Sequence, residues 1–275
     1  MLFWRRFKSN VSCRWTEAWT FKVDVFLNIV NTVLAVFMWY FMSIMIHPAI
    51  LGYVNVGYLP FIMVGSVALF FASRVTASFS GSFYRDIESG IFKLVYLSDM
   101  NLIHYFFMNF FTGLIFDSFL ILVPMISAYF FLIQIVAYET TTFFSMGILL
   151  TILASFAIFV VGQLGFTMMT VGSKLYLKKG DPISFTIEKL NQFFSGQVFP
   201  LRLLPAFLAF LPTVLPAAYV ILIWRDSLFL GKTIFDGTMT NIMIGGIVVS
   251  AVIFAVGLLF FYKGIERAKV EGRWL

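Results

Sequence analysis

Long apolar runs separated by short clusters of charge dominate the chain. A bilayer core about 30 Å thick takes about 20 apolar helical residues. Val25–Ile46, Tyr58–Phe79, a run within His104–Tyr138, Phe143–Val171 and Ile242–Tyr262 reach that length. His47-Pro48 ends the first run, and Arg74 lies near the far end of the second. The third is too long for one upright span, so tilt or a cytoplasmic first turn absorbs the excess. Pro124 predicts a kink within it. The last run is uninterrupted.

The stretch between the fourth and last runs follows a different pattern. Ile183–Phe199 is short and carries Glu188 and Lys189, which predicts a fifth span whose charged pair snorkels to the interface. Val198–Trp224 is apolar but contains Pro200, Pro205, Pro212 and Pro216. Each proline removes a backbone donor, which a lipid-exposed helix does not tolerate. Pro200–Trp224 therefore predicts a re-entrant or surface-lying hairpin rather than a span. Swapping these two assignments still gives one crossing, so the total stays at six and both termini share a side.

Composition agrees with a membrane body. Hydrophobic residues make up 61 % and charged residues 12 % of the 275 residues, with 36 phenylalanines; mean hydropathy is +0.95. A soluble domain carries about 25 % charge, so a soluble enzyme and a disordered chain are both excluded. Basic residues are distributed unequally. Arg5, Arg6, Lys8, Arg14, Lys22, Arg74, Arg85, Lys93, Lys174, Lys178, Lys179, Lys189, Lys263, Arg267, Lys269 and Arg273 fall on one side, sixteen against Arg202, Arg225 and Lys232 on the other. The positive-inside rule then puts both termini in the cytoplasm of a cell-membrane protein, and it accounts for the net charge of +6 without nucleic acid as a partner.

Trp4, Phe7, Val11, Trp15 and Ala18 recur at helical spacing, with Arg5, Lys8 and Arg14 off the stripe. Residues 1–24 thus predict an amphipathic helix in the cytoplasmic headgroup plane, either an anchor among membrane lipids or a docking element. The apolar run that follows is of full spanning length, so a cleaved signal peptide is not expected.

Candidate chemistry is sparse. Gly231-Lys232-Thr233 ends like a phosphate-binding loop, but Asp226 stands where the pattern needs glycine. Asn10-Val11-Ser12 is a glycosylation triplet on the cytoplasmic side, and His47 and His104 fall on opposite sides. No catalytic, metal or cofactor set emerges. Asp117 is the carboxylate set deepest in an apolar run, and Asn109, Gly113 and Asp117 share one helical face. It is either a hydrogen-bonded packing residue or a coupling or substrate contact. The cytoplasmic loop Ser80–Met100 places polar and charged residues first (Tyr84, Arg85, Asp86, Glu88, Ser89), then Gly90, then an apolar stretch. Such a segment can lie along the membrane face and present a polar edge to a partner.

These features resemble the membrane subunits of type-2 ABC exporters. Asp86, Glu88 and Gly90 followed by Leu94 and Leu97 resemble the family's element between the second and third spans, although Ser98-Asp99-Met100 departs from its usual small residue and proline. Phe199-Pro200-Leu201-Arg202-Leu203-Leu204-Pro205 is similar to its "F-P-L-x-x-L-P" turn, Leu215–Tyr219 to its "P-x-x-Y" element, and Gly264–Leu275 to its basic tail. The resemblance implies an all-α membrane permease of six spans, forming a single domain over 1–275. It implies an ATPase-coupling segment at 80–102 and a re-entrant extracellular region at 200–240, whose gate uses Phe199, Pro200, Leu201, Leu204 and Pro205. It further implies that the chain is not itself an enzyme. ATP and Mg would sit on a separate ABC ATPase subunit, and a second copy or a related permease would complete the path for a drug, lipid or lipid-linked glycan. Gly246/Ser250 and Ala251/Ala255 would permit close helix contact. An ion-coupled carrier would normally show several intramembrane ionisable groups and internal repeats. That class and a non-transporting scaffold are the competing expectations.

Overall fold

The computed structural model describes residues 8, 11–12, 15–16, 22–45, 53, 57–90, 104–115, 145–177 and 182–270. Among these residues there is no strand. The helices in chain order are α1 (Lys22–Met45), α2 (Tyr58–Glu88), α3 (104–115), α4 (Met146–Leu177), α5 (Pro182–Phe194), α6 (Pro216–Leu230) and α7 (Gly237–Val270). Three 3₁₀ turns, Leu201–Leu203, Ala206–Leu208 and Pro212–Val214, lie between α5 and α6.

The protein is an all-helical membrane protein. Met146–Tyr176 and Gly237–Ala268 are long and apolar enough to cross a bilayer, and Ala206–Val214 with Pro216–Leu230, bent by 90°, would add a third if the pair is one span. Phe26, Leu34 and Phe41 of α1 and Ile247, Val252 and Leu259 of α7 point outward. Lipid tolerates such a surface and water does not.

Helices α4 and α7 pack side by side along a seam of glycines. Gly165 and Gly172 face Gly257 and Gly264, each pair seven residues apart. A Cβ on Gly165 would lie 2.6 Å from the Ile253 carbonyl oxygen, and one on Gly264 would lie 2.5 Å from that of Gly172. Only glycine lets two backbones approach this closely. The order of contacts shows that the two helices run parallel. Gly147 at the start of α4 faces Thr233 just before α7, and Gly172 near the end of α4 faces Phe260 and Gly264.

Parallel neighbours require the chain between them to travel back the length of the pair, and α5 and α6 make that journey in two halves. Ile187 of α5 packs on Phe166 in the second half of α4. Pro216, the first residue of α6, sits against Gly162 midway along α4, and Trp224 Nε1 donates to Ser155 Oγ at 3.0 Å. Helix α6 ends beyond that, at Gly231 with φ +66, a left-handed C-cap that favours glycine.

The remaining elements close around this frame. Phe71 of α2 packs in tilted contact with Phe156 and Phe159 of α4 at ring distances of 4.9 and 5.8 Å. Phe106 of α3 meets Phe261 of α7 at 4.8 Å. Trp39 of α1 packs on Tyr58 to Met63 at the start of α2.

Several expected boundaries move. The second run does not end at Phe79, because α2 continues to Glu88. Tyr84, Arg85, Asp86 and Glu88 thus stand on its last turns rather than in a loop, and Ser89-Gly90 forms the turn, with Gly90 at φ +76. The expected fifth span, Ile183–Phe199, is helical only to Phe194. Pro200–Trp224 is a succession of 3₁₀ turns entering a helix that runs past Trp224 to Leu230. Of the N-terminal stripe, Val11 and Trp15 are described, and both are helical, with Trp15 exposed. Most of the third run, including Asp117 and Pro124, lies outside the described residues.

Candidate functional site

The backbone leaves α-helical geometry between Phe194 and Pro216, and the first residues of the break, Ser195 to Gln197, are buried, so their polar groups need partners there. Ser195-Gly196 starts the break, with Gly196 at φ +83, a conformation that L side chains rarely adopt. Its consequence is a run of carbonyls, Gly196, Gln197 and Val198, that no helix uses.

Arg225 supplies the donors. This side chain, one of the three cations assigned to the outer side, is 4 % exposed. Its Nη1 donates to Gly196 O at 2.6 Å, Nη2 to Gln197 O at 2.9 Å and to Phe61 O at 2.8 Å, and Nε to Phe61 O at 3.1 Å. The guanidinium also lies 3.4 Å from the centre of the Phe61 ring, a cation–π contact. Tyr58 Oη donates to Val198 O at 2.9 Å, and Gln197 Nε2 to Ser66 Oγ at 2.8 Å. A planar fork of five donors suits such a cluster, and an ammonium group does not. Gly65 makes room: a Cβ there would lie 2.9 Å from both Arg225 Nη2 and Gln197 Cα. The break in the backbone is thus tied to the first two turns of α2 through one arginine on α6.

Next to this staple, Asp226 accepts from Tyr53 Oη at 2.9 Å and pairs with Lys232 Nζ at 2.9 Å. Burial, reinforced by the Asp226 carboxylate, holds the Tyr53 hydroxyl above the ordinary phenol range, so it donates rather than ionises. A cavity of about 310 Å³ opens beside the pair, lined by Arg202, Arg225, Asp226 and Lys232 together with apolar side chains.

The residues singled out from sequence separate into three places. Leu201 packs into the cluster of Phe166, Ile187, Leu215 and Ala218, so it belongs to the subunit's own core. Pro200 is buried, Phe199 and Leu204 are half-buried and Pro205 is exposed. Leu203, Phe207, Phe210 and Val214 carry the outward apolar surface of this segment, with Phe207 75 % exposed. None of these four was expected. Asp86 accepts a hydrogen bond from Tyr105 Oη, which ties the end of α2 to the start of α3, and Ser89 Oγ donates to Asp86 O at 3.4 Å. Asn109 and Gly113 are buried on α3, in keeping with a face turned toward protein. Arg225 was missed because it was counted as an outer charge, although arginine inside an apolar stretch, downstream of a glycine-marked break, is itself a signal. Among the described residues no three His, Cys, Asp or Glu side chains converge as a metal set would.

No family model matches the chain, and no curated protein matches it.

Proposed function

We propose that the chain is the transmembrane subunit of an ATP-driven exporter that moves a hydrophobic or amphiphilic solute out of the cytoplasm. ATP hydrolysis belongs to a separate ATPase subunit, and a second copy of the chain or a related permease completes the pathway. The observation that carries this reading is the interrupted journey between α5 and α6. A span that merely anchors a protein needs no break held open at membrane depth. A path that must open toward one side needs a limb that ends inside the bilayer and can move against its neighbours.

On this reading there are six spans with both termini in the cytoplasm, and α5 is the short fifth span. The 3₁₀ turns and α6 are the inward and returning limbs of an extracellular hairpin that roofs the path. The exposed Leu203, Phe207 and Phe210 then face the second subunit or the solute. The connection from α2 to α3, within residues 80–102, is the excursion on which the ATPase acts. The Asp86–Tyr105 hydrogen bond supports that role, because it joins the two ends of the excursion. A push there moves α2 and α3 together, and Phe83 and Phe106 pass it to Phe261 of α7.

Affinity purification of the chain from its own host membrane, followed by ATP hydrolysis assays with drug, lipid and glycolipid solutes, tests the proposal. A stoichiometric ATPase subunit whose hydrolysis rises with an amphiphilic solute is expected. A chain that purifies without any such subunit and without coupled hydrolysis overturns it.

A further inference from the structure

As the fifth span, α5 would turn charge toward lipid. Ile187 packs among Phe166 and Met169 of α4, five to eight residues before Lys174 near the inner end of that helix. At 1.5 Å per residue this sets Ile187 and its neighbour Glu188 about 8–12 Å deeper than Lys174, too far for a glutamate to snorkel back. Ile187 and Asn191 are buried against the subunit, whereas Phe185, Glu188, Gln192 and Phe193 are exposed and Lys189 is half-buried. At about 3.6 residues per turn, Phe185 and Gln192 fall at the middle of the outward face, with Glu188 on one flank and Lys189 on the other at nearly the same height. Consecutive residues diverge on a helix and do not pair with each other. Glu188 has no hydrogen bond or ion pair among the described residues. Lys189 Nζ donates to Gln192 Oε1 at 3.1 Å and lies 5.5 Å from the Phe185 ring centre. Both partners are neutral, which leaves an ammonium of three donors open to a carboxylate. Charged side chains within a span face protein or water rather than acyl chains.

We infer that α5 docks on α5 of a second copy of this chain, about a two-fold axis along the membrane normal. Such an axis sets one flank of a helix against the opposite flank of its mate at the same height. Glu188 of one protomer then meets Lys189 of the partner subunit, and the same pair forms again across the axis. Phe185 and Gln192, a heptad apart, make the seam between the two helices. One acid and one base placed symmetrically about that seam make the face complementary to itself. It therefore fits its own copy better than acyl chains, and better than a partner of one charge sign. The inference rests on the spanning assignment of α5 in the proposed function and makes the second permease identical to the first. It does not depend on ATP coupling.

The test uses the full chain in its host membrane, in a Cys13→Ser background. Gln192→Cys should form a disulfide-linked dimer on mild oxidation, and Val252→Cys, on the exposed face of α7, should not. In the Gln192→Cys chain, Glu188→Lys or Lys189→Glu sets like charges against each other and should lower the cross-linked fraction at least about tenfold. Exchanging both, Glu188→Lys with Lys189→Glu, should restore it. Each variant's melting temperature in detergent checks that the subunit folds, and should a reversal unfold it, the neutral Glu188→Gln decides by the same loss of cross-linking. Equal cross-linking at Gln192 and Val252 overturns the proposal, and so does a loss that the exchange fails to restore. A Gln192→Cys chain that stays monomeric and reacts with an impermeant maleimide assigns the face to a water-filled path. One that stays monomeric and unreactive assigns it to lipid, and either result overturns the second copy. No ATPase or solute enters the assay. Absence of the dimer beside intact coupled hydrolysis leaves the exporter reading standing with a non-identical permease, and a dimer without any ATPase leaves this contact standing alone.

Discussion

Arg225 illustrates how one side chain can make a buried non-helical backbone affordable. A buried polar group without a partner costs about 1–3 kcal/mol, and the guanidinium satisfies the two stranded carbonyls of Gly196 and Gln197. Arg225→Met should therefore cost about 2–6 kcal/mol, read as a lowered apparent melting temperature in detergent. Arg225→Lys should recover only part of that loss, because a point ammonium lacks the planar fork that serves Phe61 O, Gly196 O and Gln197 O together. Full stability of the methionine variant would mean that water or another group satisfies the break. Gly65→Ala approaches the same junction from the opposite helix. Its methyl would meet Arg225 Nη2 and Gln197 Cα at 2.9 Å, and overpacking of this kind costs about 1–3 kcal/mol. None of this geometry was legible in the sequence. The apolar stretch, the Ser195-Gly196 pair and the arginine were all visible, but which carbonyls the arginine serves depends on α2, more than a hundred residues earlier in the chain.

At the scale of helices, apolar runs give the existence of an element more reliably than its ends. The run that became α2 was expected to stop where apolar residues thin out, near Phe79. The helix goes on to Glu88 because nothing in Ser80–Glu88 breaks it: no proline is present, and Gly81 sits where a Cβ would meet nothing. The Ser195-Gly196 break, by contrast, was absorbed into an expected span because an apolar count does not register backbone conformation. The glycine seam between α4 and α7 was only half legible. Gly162 and Gly165 were noticeable, but the choice of partner helix is tertiary information, and the spacings Gly246/Ser250 and Ala251/Ala255 suggested a different contact. In the structure Gly246 meets Tyr219 and Ser250 meets Gly162 inside the subunit, and Ala251 and Ala255 are exposed. Two glycine substitutions separate these roles. Gly172→Ala should drive α4 from α7 and destabilise by about 1–3 kcal/mol. Gly81→Ala should be neutral or stabilise by about 0.5–1 kcal/mol, the helix-propensity difference. Thermal unfolding of both variants checks the contrast, and equal melting temperatures would mean that the seam is looser than its geometry. Tyr105→Phe belongs to the same scale. It removes the α2–α3 tie while keeping the ring against Phe83. In the complex with its ATPase it should lower solute-stimulated hydrolysis more than basal hydrolysis, if the excursion between these helices receives the stroke. Equal effects on both rates would assign the tie to packing alone.

Over the whole molecule, the parallel pair α4 and α7 limits the topology more tightly than hydropathy does. Their starts lie together at Gly147 and Thr233, so the residues between them make one net crossing whichever piece makes it. Thr238→Cys and Glu266→Cys, in a Cys13→Ser background, should therefore label from opposite sides under either assignment. The charge pattern makes Thr238 the outer one. The discriminating position is Leu203, an exposed residue in the first 3₁₀ turn. If α5 is the span and the following segment is a hairpin open to the outside, Leu203→Cys reacts with an impermeant maleimide added to intact cells. If α5 instead lies on the cytoplasmic surface and the bent pair Ala206–Leu230 crosses, Leu203 sits on the inner side and reacts only after permeabilisation. Helix α5 makes the test necessary. Its 13 residues span about 20 Å at 1.5 Å per residue, well short of a bilayer core of about 30 Å. The non-helical Ser195–Pro200 stretch, bent from Ser195 to Phe199, continues the chain from its end. The carbonyls of that stretch are the ones Arg225 and Tyr58 satisfy, which is the arrangement expected of backbone carried through hydrocarbon. External labelling of Leu203 is thus the expected result. Labelling from the inside alone would remove the hairpin and the roof together, while leaving the pairing of α4 with α7 intact.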